Sequence, residues 1–307
     1  MKVVALAGGV GAARFLRGLV RVVAPANLTV VANTGDDLRV HGLHVSPDLD
    51  TLTYTLGGGV HPEQGWGRAD DTLTVAAELR DRYGRPDWFT LGDRDLATHL
   101  VRTQRLAEGA SLSSVTAEVA RAWGLGFTLL PMTDDVVATR IRTADGRDLH
   151  FQRWWVGEHA APDVAEVRLE GAGAATPAPG VLEAVADADA VVLCPSNPVV
   201  SIGTILAVPG IRDALRVACV VGVSPIVGGK VVRGMADRLL PAVGAETSAR
   251  GVARLYADLL DGWVLDTADA QLEPAVAALG VRTRVTGTVM RDLGVTEALA
   301  RSVLELA

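Results

Sequence analysis

The apolar positions of this chain fall in short runs that meet glycine and then change to a helical period. Lys2 to Ala7 is a β-rich run ending at Gly8, Gly9 and Gly11. Beyond it, Phe15, Leu16, Leu19, Val20 and Val23 share one helical face, and Arg14, Arg17 and Arg21 take the other. Leu28 to Ala32 is a second apolar run, with Asn33-Thr34-Gly35-Asp36-Asp37 at its carboxyl end. A strand, helix, strand unit predicts a parallel sheet with right-handed crossovers.

From Ser46 to Trp123 the period is mainly helical. Asp71 to Arg82, Asp93 to Leu106 and Ser111 to Trp123 each open on a capping-type residue, and Trp88 to Thr90 reads as a strand between them. Thr139 to Thr143 and Leu149 to Trp155 flank Asp145-Gly146, a hairpin signal. Gly171 to Gly180, rich in Ala, Pro and Gly, reads as a linker. The α/β rhythm then resumes with strands at Ala190 to Cys194 and Val217 to Val223, a helix at Ile211 to Arg216 and another from about Val231. Val295, Leu299, Val303 and Leu306 form the stripe of a C-terminal helix. The expected fold is α/β: one domain over 1–307, with a Rossmann-like parallel sheet core from about 1–45 and 180–307. It carries a helical insertion at about 46–135 and a β-hairpin insertion at about 136–178. Ligands of such sheets sit beyond the carboxyl ends of the strands.

Composition narrows the partners. A chain of 307 residues and 32.0 kDa buries about 75% of its unfolded surface and needs no disulfide scaffold. With 29 basic against 36 acidic residues and a net charge of −7, it has no basic stripe for nucleic acid. No apolar run approaches the roughly 18 positions of a membrane span. Cys194 and Cys219 lack metal-ligand spacing, which fits core residues in a reducing compartment, so a cytoplasmic location is expected. Lys2 and Lys230 are the only lysines among those 29 basic residues.

The loops after the strands hold the candidate chemistry. Gly8-Gly9-Val10-Gly11 turns a strand into a helix and gathers backbone N–H groups suited to phosphate, unless it is only a tight turn. It is not G-x-G-x-x-G, since the third glycine position is Arg14, and it lacks the Lys-Ser/Thr of a Walker loop. An NAD(P) oxidoreductase is therefore disfavoured. Asp36 and Asp37 stand where an acid meets a ribose, or cap the next segment. Ser46-Pro47-Asp48-Leu49-Asp50-Thr51 is a good helix start, which accounts for Ser46, Pro47 and much of Asp48 but less for Asp50. A Mg2+ ion held by one carboxylate and substrate phosphates is the simpler metal reading.

Asp93 of Gly92-Asp93-Arg94-Asp95 reads as an N-cap, and Arg94 opposes the helix dipole unless it faces an anion. His99 pairs with Asp95 one turn on, or is a base. Ser196 and Asn197, fixed between Pro195 and Pro198, with Ser201 and Gly203 beyond, suit a nucleoside edge or a rigid turn. Gly228-Gly229-Lys230 reads as a second glycine loop before a helix, its ammonium suited to phosphate. Trp66, Trp154 and Trp155 read as core or lid packing, with a flat heteroaromatic ligand as the alternative. If Trp154 and Trp155 lie on a strand, at most one of them faces a ligand.

These loops resemble the 2-phospho-L-lactate transferase family of deazaflavin coenzyme biosynthesis, and more closely its actinobacterial branch, the phosphoenolpyruvate transferases. The resemblance is carried by Gly8 to Leu16, Gly35-Asp36-Asp37, Pro47 to Thr51, Tyr54 to Gly59, Gly65-Trp66-Gly67, Leu91 to Leu100, His150 to Val156, Pro195 to Gly203 and Arg233 to Asp237. Many archaeal relatives have Lys-Gly-Pro where this chain reads Arg233-Gly234-Met235; the difference tilts the donor toward enolpyruvyl. The resemblance implies a phosphoenolpyruvyl or 2-phospho-L-lactyl group moved from a guanosine diphosphate ester to the ribityl hydroxyl of 7,8-didemethyl-8-hydroxy-5-deazariboflavin, releasing GMP. It implies Mg2+, with deazaflavin contacts at Asp50 and Arg94, and a homodimer is expected.

The expected catalytic residues are Asp48, Asp50 and Arg94, with Asp48 and Asp50 at the metal. Gly8, Gly9, Gly11, Asp36, Asp37, Ser196, Asn197, Ser201, Gly203 and Lys230 complete the substrate site. A nucleotide-sugar-binding metabolic regulator with the same core is the main alternative.

Overall fold

The computed structural model describes residues 1–307, and the apolar runs form seven strands of one sheet. They are β1 (Val3–Ala7), β2 (Leu28–Ala32), β3 (Thr128–Pro131), β4 (Ala190–Leu193), β5 (Val220–Val223), β6 (Gly262–Asp266) and β7 (Arg282–Thr286). Their order is β7-β6-β5-β4-β1-β2-β3, and every neighbouring pair is parallel. Val3 pairs with Leu28 on one side and with Ala190 on the other. Both faces are covered, because Val3, Ala5 and Ala7 pack into one apolar cluster while Val4 and Leu6 pack into another. Continuous apolar strands are what a doubly covered parallel sheet requires.

The helices that matter are α1 (Gly9–Val22), α2 (Pro47–Leu56), α3 (Thr74–Asp81), α4 (Asp95–Ala107) and α5 (Leu112–Ala122). The C-terminal helix, Leu293–Leu304, opens on Asp292, whose carboxylate accepts from Val295 N at 2.9 Å. It buries Leu299 and Val303. A Cβ at Gly18 of α1 would lie 2.5 Å from the Thr296 backbone, so the two helices cross at a distance only glycine allows. No helix is long and apolar enough to cross a membrane.

Four local expectations change. Trp88–Thr90 is not a strand, since a three-residue run carries too little periodicity to separate strand from turn. Thr128–Pro131, inside the range read as the helical insertion, is the edge strand of the main sheet. The hairpin is three-stranded, with Ala138–Thr143 between Asp148–His150 and Val164–Glu170. Its expected strand to Trp155 stops at His150, and Trp154 and Trp155 lie in a π-helical turn over Arg153–Gly157. There the buried Trp154 indole donates to Pro162 O at 2.9 Å. Finally, Lys230 and Val231 pair back onto Ile226 and Val227 across Gly228 and Gly229, whose φ values of 58° and 73° suit a two-residue turn. No helix begins at Val231; the next is Ala236–Leu239.

Candidate active site

Because the chain goes from β1 outward to β2 and β3 but returns on the other side at β4, a crevice opens at the carboxyl ends of β1 and β4. The glycine loop lies in it. Gly8 N donates to Ser196 Oγ at 3.2 Å. A Cβ on Gly8 would lie 2.6 Å from both Asp48 Oδ2 and Ser201 Cβ. A Cβ on Gly11 would run into Pro195 O. The Asp48 and Ser201 side chains and the Pro195 backbone thus converge on the glycine loop where a side chain would block them. Gly8, Gly9, Gly11, Asp48, Ser196 and Ser201 are brought together here.

Asn197 has a different task. Its Oδ1 accepts from Val199 N at 2.9 Å and Val200 N at 3.2 Å, so the side chain caps the turn that follows. Gly203 lies in that turn, where a Cβ would be 2.8 Å from Pro198 O. For these two residues the structure displays the rigid-turn alternative.

The acidic side of the crevice is organised by Asn33, a residue outside the expected set. Its Nδ2 donates to Asp36 Oδ1 at 3.1 Å and to Asp48 Oδ2 at 2.8 Å, and its Oδ1 accepts from Gly35 N at 2.9 Å. Gln152, from the far side of the hairpin insertion, donates to Asp36 Oδ2 at 3.3 Å. Burial pushes the Asp48 carboxyl up to about 7 against the bonds from Asn33 and Gly9. Asp36 is raised well above its ordinary value by burial first and by Asp48 second. Burial also raises Asp37, although Ser46 Oγ donates to its Oδ2 at 2.6 Å and His44 Nε2 lies 3.0 Å from the same atom. The Ser46 hydroxyl is thus directed at Asp37 and does not cap α2.

Around this loop four buried oxygens find no hydrogen-bond partner: Thr34 Oγ1, Asp37 Oδ1, Thr139 Oγ1 and Thr204 Oγ1. A Cβ at Gly35 would meet the side chains of Thr204, Thr139 and Asn33 together. Unbonded buried polar atoms are rare because each costs about 1–3 kcal/mol. Their concentration here marks unmet coordinating capacity.

Asp50 points elsewhere. Arg102 of α4 holds both of its carboxylate oxygens, Oδ2 from Nη1 at 3.1 Å and Oδ1 from Nη2. Arg102 Nη1 also lies 3.4 Å from His99 Nδ1, and His99 Nε2 lies 3.1 Å from Asp95 Oδ2. Tyr54 Oη donates to Asp95 Oδ1 at 2.6 Å. The expected joint ligation by Asp48 and Asp50 therefore meets two carboxylates directed apart, one at Asn33 and one at Arg102. The physical reason is the register of α2, since two residues apart is more than half a turn. Arg102 was readable only as the third member of Asp95, His99 and Arg102, which share one face of α4.

Arg94 is exposed, and its Nη1 reaches only Ala69 O at 3.5 Å. Its backbone is fixed by Asp71, which accepts from Arg94 N at 2.7 Å and Asp95 N at 3.1 Å. Asp93 does not cap α4. It accepts from Thr74 N and Val75 N, both at 3.0 Å, and so caps α3, while Asp71, expected to open α3, caps α4. Lys230 is exposed on the small hairpin described above, where it pairs with Val227, away from the hydrogen bonds of the Asn33 cluster.

Comparison with known proteins gives the family and the fold. Residues 3–296 match the family described as 2-phospho-L-lactate transferase CofD. A phosphoenolpyruvate transferase of Kitasatospora aureofaciens is 55% identical, covering 100% of this chain and 98% of that protein. One of Streptomyces griseus is 53% identical over the same shares. A Bacillus halodurans protein of the upf0052 family has the same fold, with a TM-score of 0.66 at 17% identity over 98% of each chain. The chain belongs to the 2-phospho-L-lactate transferase CofD family and is an enzyme of the transferase class.

Proposed function

We propose that this transferase moves a phosphoenolpyruvyl group from a guanosine diphosphate ester to the ribityl hydroxyl of 7,8-didemethyl-8-hydroxy-5-deazariboflavin, releasing GMP, in coenzyme F-420 biosynthesis. The enolpyruvyl donor is favoured over 2-phospho-L-lactyl because the full-length relatives above are named phosphoenolpyruvate transferases. In this reaction the hydroxyl oxygen bonds to the phosphorus that bears the enolpyruvyl group. The bridging P–O bond to GMP breaks, and the hydroxyl proton passes to a carboxylate.

One observation carries the reading. Asp36 and Asp48 are buried carboxylates bridged by the Asn33 amide and lying against the glycine loop, and neither has a cationic side chain beside it. Raised proton affinity there means that a positive charge is wanted and not supplied. The residues fit a divalent cation. Mg2+ would be held by Asp48 with Asp36, and would supply neutralisation of charge on the diphosphate. Asp50, already paired with Arg102, is the weaker ligand. It holds α2 and α4 together, and through α4 it fixes the place of Arg94, which would meet the deazaflavin. Of the Gly8 to Gly11 loop, the Val10 and Gly11 amides at the start of α1 would hold donor phosphate, and Ser196 and Ser201 would border it.

The second copy of a homodimer would cover α3, which buries none of its residues and leaves Leu73, Val75, Tyr83, Leu100 and Val101 exposed around it. Both cysteines are free, in keeping with the cytoplasm. The deciding experiment is incubation with the deazaflavin, Mg2+ and separately made enolpyruvyl and lactyl guanosine diphosphates, with products weighed by mass spectrometry. An adduct from the enolpyruvyl donor alone supports the reading. Absence of any adduct, together with no deazaflavin binding in a fluorescence titration, would favour the regulator.

A further inference from the structure

About half of the arginines in this acidic chain are matched to carboxylates, as Arg212 is to Asp258 and Arg147 to Glu158. Arg14 and Arg233 are not. Arg14 stands on α1 just beyond the glycine loop, and Arg233 comes from the opposite end of the chain to the same lip. The Arg233 guanidinium donates to Gln64 O, inside a turn closed by His61 N to Gly67 O at 3.0 Å and Gly65 N to His61 O at 2.9 Å. That turn lies on the glycine loop. A Cβ at Gly65 would be 2.9 Å from Val10 Cγ1 and 3.4 Å from Arg233 Nη1.

Partial burial, and then the Arg14 charge, makes Arg233 easier to deprotonate than an ordinary arginine. No acid answers that repulsion, although the chain carries 36 acidic residues. Val10 and Arg14 lie one turn apart on α1, so Arg14 shares the face that meets Gly65 and Arg233, and two cations with no acid between them beside the glycine loop suit an anion. The turn also presents Trp66, 51% exposed between Gly65 and Gly67.

We infer that Arg14 and Arg233 form an anion-binding pair on the outer lip of the glycine loop, which takes the doubly anionic diphosphate of a nucleotide ester. The identity of the ester rests on the transferase reading above; the pair itself does not. One guanidinium N–H of Arg233 anchors the Gln64 turn, which leaves the rest of the fork for phosphate oxygens. Arg14, with no such anchor, supplies the second charge.

The test is calorimetric titration of GDP and of inorganic pyrophosphate into wild type, Arg14→Gln, Arg233→Gln, Arg233→Lys and the control Arg17→Gln, which lies on α1 outside the lip. Each glutamine variant at the pair should bind both probes roughly tenfold or more weakly. Arg233→Lys should recover part of the loss, and Arg17→Gln should match wild type. Unchanged affinity in Arg14→Gln would overturn the pair even if the enzyme makes product. Arginine-dependent pyrophosphate binding by a protein that forms no adduct would uphold the pair and overturn the transferase reading.

Discussion

Two sets of aspartates, one in the crevice and one in the helical insertion, have opposite surroundings. Asp71 and Asp93 at the insertion lip are supplied with donors: Asp71 takes the N–H groups of Thr72, Arg94 and Asp95, and Asp93 those of Thr74 and Val75 with the Thr72 hydroxyl. Asp36 and Asp48 in the crevice share one Asn33 amide group under far deeper burial. Those lip bonds pull Asp93 down to about 2, whereas burial drives Asp48 up to about 7. A carboxylate whose lone pairs are filled by backbone N–H groups is a building element. One that is buried with too few donors destabilises the fold in its charged form, and its use must be sought in what it binds.

Asp50 is the third case, a deeply buried carboxylate given a full partner, and it offers the largest effect. Arg102→Met should cost about 3–5 kcal/mol in urea unfolding, because Asp50 is left buried without its counter-charge. Adding Asp50→Leu should recover most of that loss. If Arg102→Met lowered stability by less than about 1 kcal/mol, as for an exposed pair, Asp50 would have to be reached by water, and it would rejoin Asp48 as a metal candidate. Asp48→Asn separates the two kinds of site further. It keeps an acceptor for Asn33 and removes the buried charge, so stability should hold or rise while turnover falls roughly 100-fold or more. A parallel loss of stability and turnover would move Asp48 into the structural group.

Much of this was legible in the sequence, for a reason that differs by residue. The β1, glycine loop, α1 unit and its place in a parallel sheet follow from periodicity, and the loops at the strand ends follow from the fold. Asp48 and Asp50 were visible as a pair, but the turn of α2 that directs them apart is a matter of angle that composition does not carry. Asn33 was visible only as part of a loop string, since nothing local says that its amide reaches 15 residues on to Asp48. The exchange of caps between Asp71 and Asp93 could not be read at all. Each stands at a plausible N-cap, and only the packing of α3 against the start of α4 decides which helix it serves.

That exchange gives a smaller, local test. Asp71→Ala removes the acceptor for Arg94 N and Asp95 N and should destabilise by about 1 kcal/mol, as loss of an N-cap does. Deazaflavin affinity should fall with it, because Arg94 is placed by that backbone. Arg94→Ala in the Asp71→Ala background should then add little. Full additivity would mean that the cap and Arg94 act independently.

The smallest effect sets the two groups of aspartates against each other in one measurement, the urea midpoint of the metal-free protein from neutral to acid pH. Asp93 is lowered from 3.8 to about 2, so the stability it contributes is present above 3.8 and is lost as pH falls through about 2. Asp48 is raised from 3.8 to about 7, so the folded state holds a proton that the unfolded chain lacks, and its contribution is lost as pH rises through about 7. Acidification should therefore strengthen the fold in the upper window and weaken it in the lower one. Asp48→Asn should make only the upper limb shallower, since Asp36 and Asp37 are raised as well, and Asp93→Asn only the lower. If both variants flattened the same limb, the division between a crevice held ready for a cation and a lip saturated with its own N–H groups would fail.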